Sequence, residues 1–188
     1  MSADIENILE KYYGFSSFRK GQKEVIESIL EARDTVAVMP TGSGKSLCYQ
    51  IPALVFEGVT IVISPLISLM KDQVDALKEM GIKATYINSS ISNQELKDRL
   101  AKTAAGEYKL LYIAPERLNS TRLLNLLKQL KIEMIAVDEG HCVSEWGHDF
   151  RPSYLNISRV VEKINPRPIL TAFTATATPE VKNDISKF

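Results

Sequence analysis

Six short runs rich in apolar and β-branched residues recur along the chain: Thr35 to Met39, Val59 to Ser64, Ala84 to Ile87, Leu110 to Ile113, Met134 to Val137 and Ile169 to Phe173. Each reads as a strand buried on both faces. Between them, Lys20 to Ala32, Ser46 to Phe56, Leu66 to Met80, Asn93 to Ala105 and Ser120 to Leu130 show helical spacing of apolar residues. Strand alternating with helix predicts an α/β fold, a mainly parallel sheet with helices on both faces. Pro52 falls inside the second of these helices, where it must lose a hydrogen bond and is predicted to kink the axis after the first turns. Ligands of such open sheets bind beyond the carboxyl ends of the strands, so residues just after each strand carry the functional search.

The first strand runs into Met39-Pro-Thr-Gly-Ser-Gly-Lys-Ser46. In such a loop, small residues let the backbone N–H groups of Thr41, Gly42, Ser43 and Gly44 point inward at a phosphate, and the following helix offers its positive end. Lys45 then reaches the terminal phosphates and Ser46 can hold Mg²⁺. The usual pattern GxxxxGK[ST] has glycine where this chain has Met39, so the assignment rests on the preceding apolar strand. The fifth strand ends in Asp138-Glu139-Gly140-His141. Standing alone, an acidic pair at a strand end is more often the start of a solvated loop. In one sheet with the glycine-rich loop it reads as the other half of an ATPase site, with Asp138 on the metal shell and Glu139 as the base that activates water.

Composition narrows the class without changing the fold. The chain has 188 residues, 45% hydrophobic and 24% charged, a length suited to one domain with a core that needs no covalent staple. No apolar run approaches the roughly 20 residues of a membrane span, and the polar, acidic start lacks the form of a secretory signal, so an intracellular protein is expected. Cys48 and Cys142 stand far apart and read as packed thiols. His141 and His148 lie seven apart with no further cysteine or histidine to complete a set, so no zinc is expected. Formal net charge is zero, so any contact with nucleic acid must be local. No repeat or linker marks a second unit.

One segment remains ambiguous on its residues alone. Trp146, Phe150 and Tyr154 are spaced by four, as in the apolar stripe of a helix packed on the sheet. Gly147 and Pro152 interrupt that helix and favour a shaped loop, whose aromatic faces could stack on bases while Arg151 holds a phosphate.

Several blocks together resemble the first motor domain of superfamily 2 helicases, specifically the RecQ family of DNA helicases, whose fold is the RecA-like P-loop domain. Phe15-Ser-Ser-Phe18-Arg19-Lys20-Gly21-Gln22 is similar to the family's adenine-reading motif, and Met39 to Ala53 to its form of the phosphate loop, Met39 included. Ser64 to Gln73, Tyr112 to Leu118 and Phe173 to Thr178 resemble further motifs, and Cys142 to Tyr154 resembles the aromatic-rich loop that distinguishes the family.

The resemblance implies roles residue by residue. Arg19 and Gln22 would read adenine, the Gln22 amide offering donor and acceptor together; Phe15 or Phe18 would stack on the base or belong to the core. Trp146, Phe150 and Arg151 would contact DNA, as would the turn at Ser64 and Pro65, with Tyr154 left open between DNA contact and core; on their apolar character alone, Leu66, Leu69 and Met70 read as core. His141, Thr174 and Thr176 would couple the ATP and DNA sites. The family pattern reads Asp-Glu-Ala-His where this chain has Gly140, a change predicted to add backbone freedom next to Glu139.

The implied activity is 3′-to-5′ translocation and unwinding driven by ATP and Mg²⁺, in DNA repair and recombination. The implied partners are single-stranded or partly duplex DNA and a second motor domain carrying an arginine finger. Nothing in residues 1–188 resembles that second domain, or the family's zinc-binding and winged-helix regions, so the chain alone is expected to be weakly active or inactive. Its place would be the cytoplasm, on the nucleoid, in a bacterium and the nucleus in a eukaryote. An RNA-directed helicase and an ATP-gated nucleic-acid clamp with little hydrolysis are the alternatives.

Overall fold

All six apolar runs form strands in the structure, a computed structural model that describes residues 2–188. They are β1 (Thr35–Val38), β2 (Val59–Ile63), β3 (Ala84–Ile87), β4 (Leu110–Ile113), β5 (Ile132–Val137) and β6 (Ile169–Thr174). They build one sheet in the order β1-β6-β5-β2-β4-β3. Every pairing is parallel, so all carboxyl ends lie along one edge. The RecA-like α/β architecture is therefore present.

The helices are α1 (Ser2–Ile8), α2 (Gln22–Leu30), α3 (Lys45–Val55), α4 (Ile67–Glu79), α5 (Asn93–Ala104), α6 (Thr121–Leu127), α7 (Asn156–Lys163) and α8 (Pro179–Ser186). A π-helical turn, Leu9–Tyr13, extends α1. Local chemistry sets several of the starts. Ser92 and Glu95 form a reciprocal capping box on α5, and the Ser120 and Thr178 hydroxyls accept from the backbone of Leu123 and Val181 to cap α6 and α8. The helical pattern had predicted neither α1, α7 nor α8. Helix α3 runs on through the buried Pro52 for a further turn to Val55.

Alternation along the strands divides the core in two. On one face Ile61, Ile63, Leu111, Ile113, Ile135 and Val137 pack beneath α5, α6, α7 and α8; on the other Val62, Leu110, Tyr112, Met134, Ala136 and Phe173 pack beneath α1 to α4. The expectation of burial on both faces fails at β1. It is an edge strand with Ala37 inward, whereas Val36 and Val38 are 44% and 43% exposed. A strand at the border of a sheet has a neighbour on one side only, here β6.

Candidate nucleotide site and the aromatic segment beside it

The loop after β1 is held from both ends. Met39 does not leave the sheet: its N–H donates to the Thr174 carbonyl at 2.9 Å, and its sulfur lies 3.8 Å from the Cys48 thiol in the core. A glycine is unnecessary there because the chain turns later, at Gly42 and Gly44, both at φ 80°. Helix α3 then begins at Lys45. The backbone N–H groups of Gly44, Lys45 and Ser46 find no acceptor among the described residues. The Ser43 hydroxyl is buried without a partner among the described residues, and Lys45 Nζ lies 3.4 Å from the Met39 carbonyl. These unspent donors and the Lys45 ammonium suit a polyphosphate.

Gln22 and Arg19 meet this loop directly. Gln22 is 3% exposed; its Nε2 donates to the carbonyls of Ser43 (3.0 Å) and Gly44 (3.3 Å), and its Oε1 accepts the Arg19 N–H at 2.8 Å. Arg19 donates from its guanidinium to the Gly42 carbonyl at 2.7 Å. The amide expected to present an edge to adenine is thus engaged on both ends as a brace for the phosphate loop. A Cβ on Gly44 would sit 2.5 Å from Gln22 Nε2, which, with its positive φ, restricts that position to glycine. Phe18 packs against the core and Phe15 is exposed.

The carboxylates stand at the end of β5. Burial pushes the Asp138 carboxyl up to about 6; the Glu139 charge adds to the shift and Lys45 opposes it. Glu139 adopts the left-handed conformation, φ 52° and ψ 48°, uncommon for a residue with a side chain and typical of functional turns. The Thr174 hydroxyl donates to the Thr176 carbonyl at 2.9 Å, so the 3.0 Å contact between His141 Nδ1 and Thr174 requires the hydrogen on Nδ1. That nitrogen is also 3.4 Å from Glu139 Oε2. Burial holds the His141 imidazole below its ordinary pKa, with Glu139 opposing. Glu139, His141 and Thr174 are therefore brought together, while Thr176 contributes its carbonyl and turns its side chain to solvent. Gly140 packs against β6: a Cβ there would meet Ala172 Cβ and the Phe173 carbonyl at 3.4 Å. The left-handed turn falls on Glu139 instead, and Gly140 has no positive φ.

Between Cys142 and Tyr154 the chain is a loop bounded by two short 3₁₀ turns, Gly140–Val143 and Pro152–Leu155, so the helical-stripe reading is excluded. Tyr154 is fully buried and its hydroxyl donates to the Asp138 carbonyl at 2.8 Å; Trp146 is 76% exposed; Phe150 and Arg151 are half-buried. The Arg151 N–H donates to the Cys142 carbonyl, and Gly147 passes so close over His141 that a Cβ would lie 2.6 Å from its carbonyl oxygen. The Ser144 hydroxyl ties the loop to Asp184 of α8 at 2.6 Å. His141 and His148 stack at 4.3 Å. The fold also brings ligand atoms of His141, Cys142 and Asp149 within 4.8 Å of one another, a grouping the histidine spacing gave no sign of. Asp149 there accepts from Arg151 Nε at 3.2 Å and faces the Cys142 thiol at 3.9 Å, and burial pushes that thiol up to about 12.

At the end of β2, the Ser64 N–H is spent on the Ile113 carbonyl and both Ser64 and Pro65 are buried. The exposed groups are instead Leu66, Ile67 and Leu69 on the first turn of α4, so Leu66 and Leu69 are not core residues, whereas Met70 is. Their apolar character had suggested burial, but they are 39–45% exposed at the start of α4.

The DEAD/DEAH box helicase family matches residues 19–184, and the chain belongs to that family. Its sequence likeness within the family is to the RecQ group, as a RecQ-family motor domain. It is 57% identical to the ATP-dependent DNA helicase RecQ of Bacillus subtilis over 183 residues, 97% of this chain and 31% of that protein. It is 41% identical to the RecQ-like DNA helicase blm-1 of Caenorhabditis elegans, over 98% of this chain and 19% of that protein. The chain thus spans about a third or less of the length of these relatives. In structure it is similar to the DUF1998 helicase MrfA bound to DNA, with a TM-score of 0.76 at 20% identity over 98% of this chain and 28% of that one. A hypothetical ATP-dependent RNA helicase from Sulfolobus tokodaii gives 0.70 at 22% identity, over 100% of this chain and 55% of the other. At that identity the two structures speak to the fold. Family membership implies the use of ATP.

Proposed function

We propose that the chain is the ATP-binding motor domain of a RecQ-like 3′-to-5′ DNA helicase, which couples hydrolysis to movement on single-stranded DNA when joined to a second motor domain in a longer protein. The observation that carries this reading is the Tyr154 hydroxyl on the Asp138 carbonyl: the aromatic segment is anchored to the very strand end that bears the carboxylates. Displacement of the segment by a base stacked on Trp146 would be felt at Asp138 and, through His141, at Glu139 and Thr174.

In this reading the loop N–H groups, Ser43 and Lys45 bind the phosphates of ATP, and Gln22 and Arg19 hold the loop in shape for them. Adenine recognition by the Gln22 amide would exchange one of its present bonds to the loop for one to the base. Ser46 and Asp138 would hold Mg²⁺, which supplies charge neutralisation at the phosphates. The raised pKa of Asp138 suits a carboxylate that is fully ionised only beside a cation. Glu139 orients and deprotonates the attacking water, its position restrained by His141. Trp146, Phe150 and Arg151 are the proposed DNA contacts. Ser64 and Pro65 are buried, which leaves the exposed first turn of α4 as the DNA-facing part of that region. Among the described residues no helix is long and apolar enough to cross a membrane; a protein of this function works where the chromosome is.

The test is ATP hydrolysis by the full-length protein, with and without single-stranded DNA. Lys45→Ala is expected to lower nucleotide affinity by about 100-fold, the loss of two charge-assisted hydrogen bonds. Trp146→Ala should keep basal hydrolysis and lose stimulation by DNA. Stimulation by RNA alone would assign the substrate to the other nucleic acid, and no hydrolysis under any condition would reject the motor reading.

A further inference from the structure

Three side chains able to ligate a metal meet where the carboxylate turn joins the aromatic segment. His141 and Cys142 stand in the 3₁₀ turn Gly140–Val143, Asp149 stands seven residues beyond Cys142, and the ligand atoms of the three lie within 4.8 Å of one another. The Cys142 thiol donates toward Asp149 Oδ2, 3.9 Å from the sulfur. In a tetrahedral zinc site, Zn–S of about 2.3 Å and Zn–O of about 2.0 Å set sulfur and oxygen about 3.5 Å apart, so an ion takes the place of that hydrogen once the pair closes by about 0.4 Å. His141 is already oriented as a ligand. Its Nδ1 carries a hydrogen toward the Thr174 hydroxyl at 3.0 Å, which leaves a lone pair on Nε2, and a ligating histidine is held in this way by an oxygen on its other nitrogen. Entry is from the side of Asp149, whose side chain is 46% exposed, whereas His141 and Cys142 are buried.

We propose that His141, Cys142 and Asp149 form a site for a divalent cation of the zinc class, with water in the fourth position, and that the bound ion pins the aromatic segment to the carboxylate turn. Imidazole and thiolate ligands select zinc-like ions over Mg²⁺, so the site differs in chemistry from the oxygen ligands Ser46 and Asp138. Binding releases the thiol hydrogen to solvent as a proton, and the thiolate and the Asp149 carboxylate together balance the charge of the ion. Arg151 is the competitor. Its Nε donates to Asp149 Oδ2 at 3.2 Å, and its side chain, 30% exposed, has water to turn to when the ion takes that oxygen. Trp146 lies between Cys142 and Asp149 in the chain, so an ion that joins those two residues closes the loop that carries it. The spacing of His141 and His148 pointed away from zinc because the third ligand is a carboxylate, brought in by the fold. Ion binding does not require the motor function; its effect on the response to DNA rests on that reading.

The experiment titrates this chain with Cd²⁺ and with Zn²⁺ in excess Mg²⁺, with thermal unfolding recorded for every variant. Cd²⁺ should raise an ultraviolet thiolate-to-metal charge-transfer band. The cysteines are Cys48 and Cys142, so substitution assigns the band: Cys142→Ser should abolish it and Cys48→Ser should leave it. Zn²⁺ should raise the Tm of the unaltered chain and the fluorescence anisotropy of its single tryptophan, Trp146. Thr174→Val, which unties His141 Nδ1, should weaken Zn²⁺ binding by about tenfold, and Asp149→Asn by more. Arg151→Ala removes the competing charge and should tighten binding by about tenfold. Should Cys142→Ser fail to fold, Asp149→Asn and Arg151→Ala, opposite in sign, decide. Absence of a Cd²⁺ band in the unaltered chain, a band that survives Cys142→Ser, or Zn²⁺ affinity unmoved by Asp149→Asn would overturn the site. Zn²⁺ binding that leaves the Trp146 anisotropy unchanged would overturn the pinning of the aromatic segment, and neither result bears on the nucleotide site.

Discussion

The loop after β1 and the segment after β5 flank the same neighbouring strand, β6, yet they are built on opposite terms. The first turns on two glycines at positive φ, where no side chain is strained, and its carbonyls are bonded by Gln22 and Arg19 from outside the loop. It is a relaxed cradle. The second buries a carboxyl at Asp138, puts a side-chain-bearing residue, Glu139, in the left-handed region, and passes Gly147 against the His141 carbonyl. That segment carries an unfavourable ground state which a bound cation or partner can relieve. The pair shows a division of labour: the rigid half can be formed before its ligand arrives, and the loaded half can respond to it.

The largest test of that contrast is Asp138→Asn. The Asp138 pKa rises from 3.8 in the unfolded chain to about 6 in the fold. Below both values the carboxyl is protonated in either state and costs nothing. As pH climbs from 3.8 to 6 the unfolded chain ionises first, so stability falls, and above 6 the full penalty applies. Two pKa units correspond to about 3 kcal/mol. Asparagine should therefore stabilise the ligand-free chain by about 2–3 kcal/mol at pH 7.5 in urea unfolding, with the gain vanishing near pH 4. A loss of stability at neutral pH would mean that Asp138 is not under load, and the contrast would fail at its strongest point.

Gln22→Ala probes the relaxed half and should have the opposite sign. It removes a buried amide that makes three hydrogen bonds to the loop and to Arg19. Water can reach the half-exposed carbonyls left behind, which limits the expected loss to about 1–2 kcal/mol. No titrating group is involved, so the same urea series should show a constant deficit from pH 4 to 7.5. A deficit that tracks pH like Asp138 would show that the two loops share one load.

Much of this contrast was visible in the residues, for reasons that differ by region. The strands could be read because parallel strands inside a sheet are apolar on both faces, and the turning loop after β1 because its shape depends on glycines close together in sequence. The edge position of β1 could not, since Val36 and Val38 look like core valines until the strand order is known. The short helix α7 was hidden for a related cause: the stripe spaced by four led toward Trp146 and away from the segment after Tyr154. The aromatic segment stayed undecided between helix and loop because its shape depends on contacts across the fold, Gly147 on His141, Ser144 on Asp184 and Tyr154 on Asp138. Gln22 shows the limit at the level of one side chain. Its motif marks it for the nucleotide site, and only the fold shows that both ends of its amide brace the loop.

Gly140 gives the smallest and most discriminating test, because it lies where the load meets the sheet. Read from sequence, a glycine beside Glu139 loosens the turn. The fold makes residue 140 the first of a short 3₁₀ turn at a φ that any residue adopts, and the left-handed strain falls one position earlier. A Cβ there would touch Ala172 Cβ and the Phe173 carbonyl at 3.4 Å, ordinary van der Waals contact. Alanine should fit, remove conformational freedom from the unfolded chain, and stabilise by about 0.4–1 kcal/mol. For a chain of this size that is a rise in Tm of about 1–4 °C. The gain should be independent of pH, unlike that of Asp138→Asn, since no charge changes. A fall in Tm would show that β6 does not accommodate a methyl at residue 140 and that the strained turn depends on glycine at both Gly140 and Gly147. A rise with hydrolysis in the full-length protein unchanged would show that Glu139 is restrained by its own left-handed turn and by His141, with residue 140 contributing stability alone.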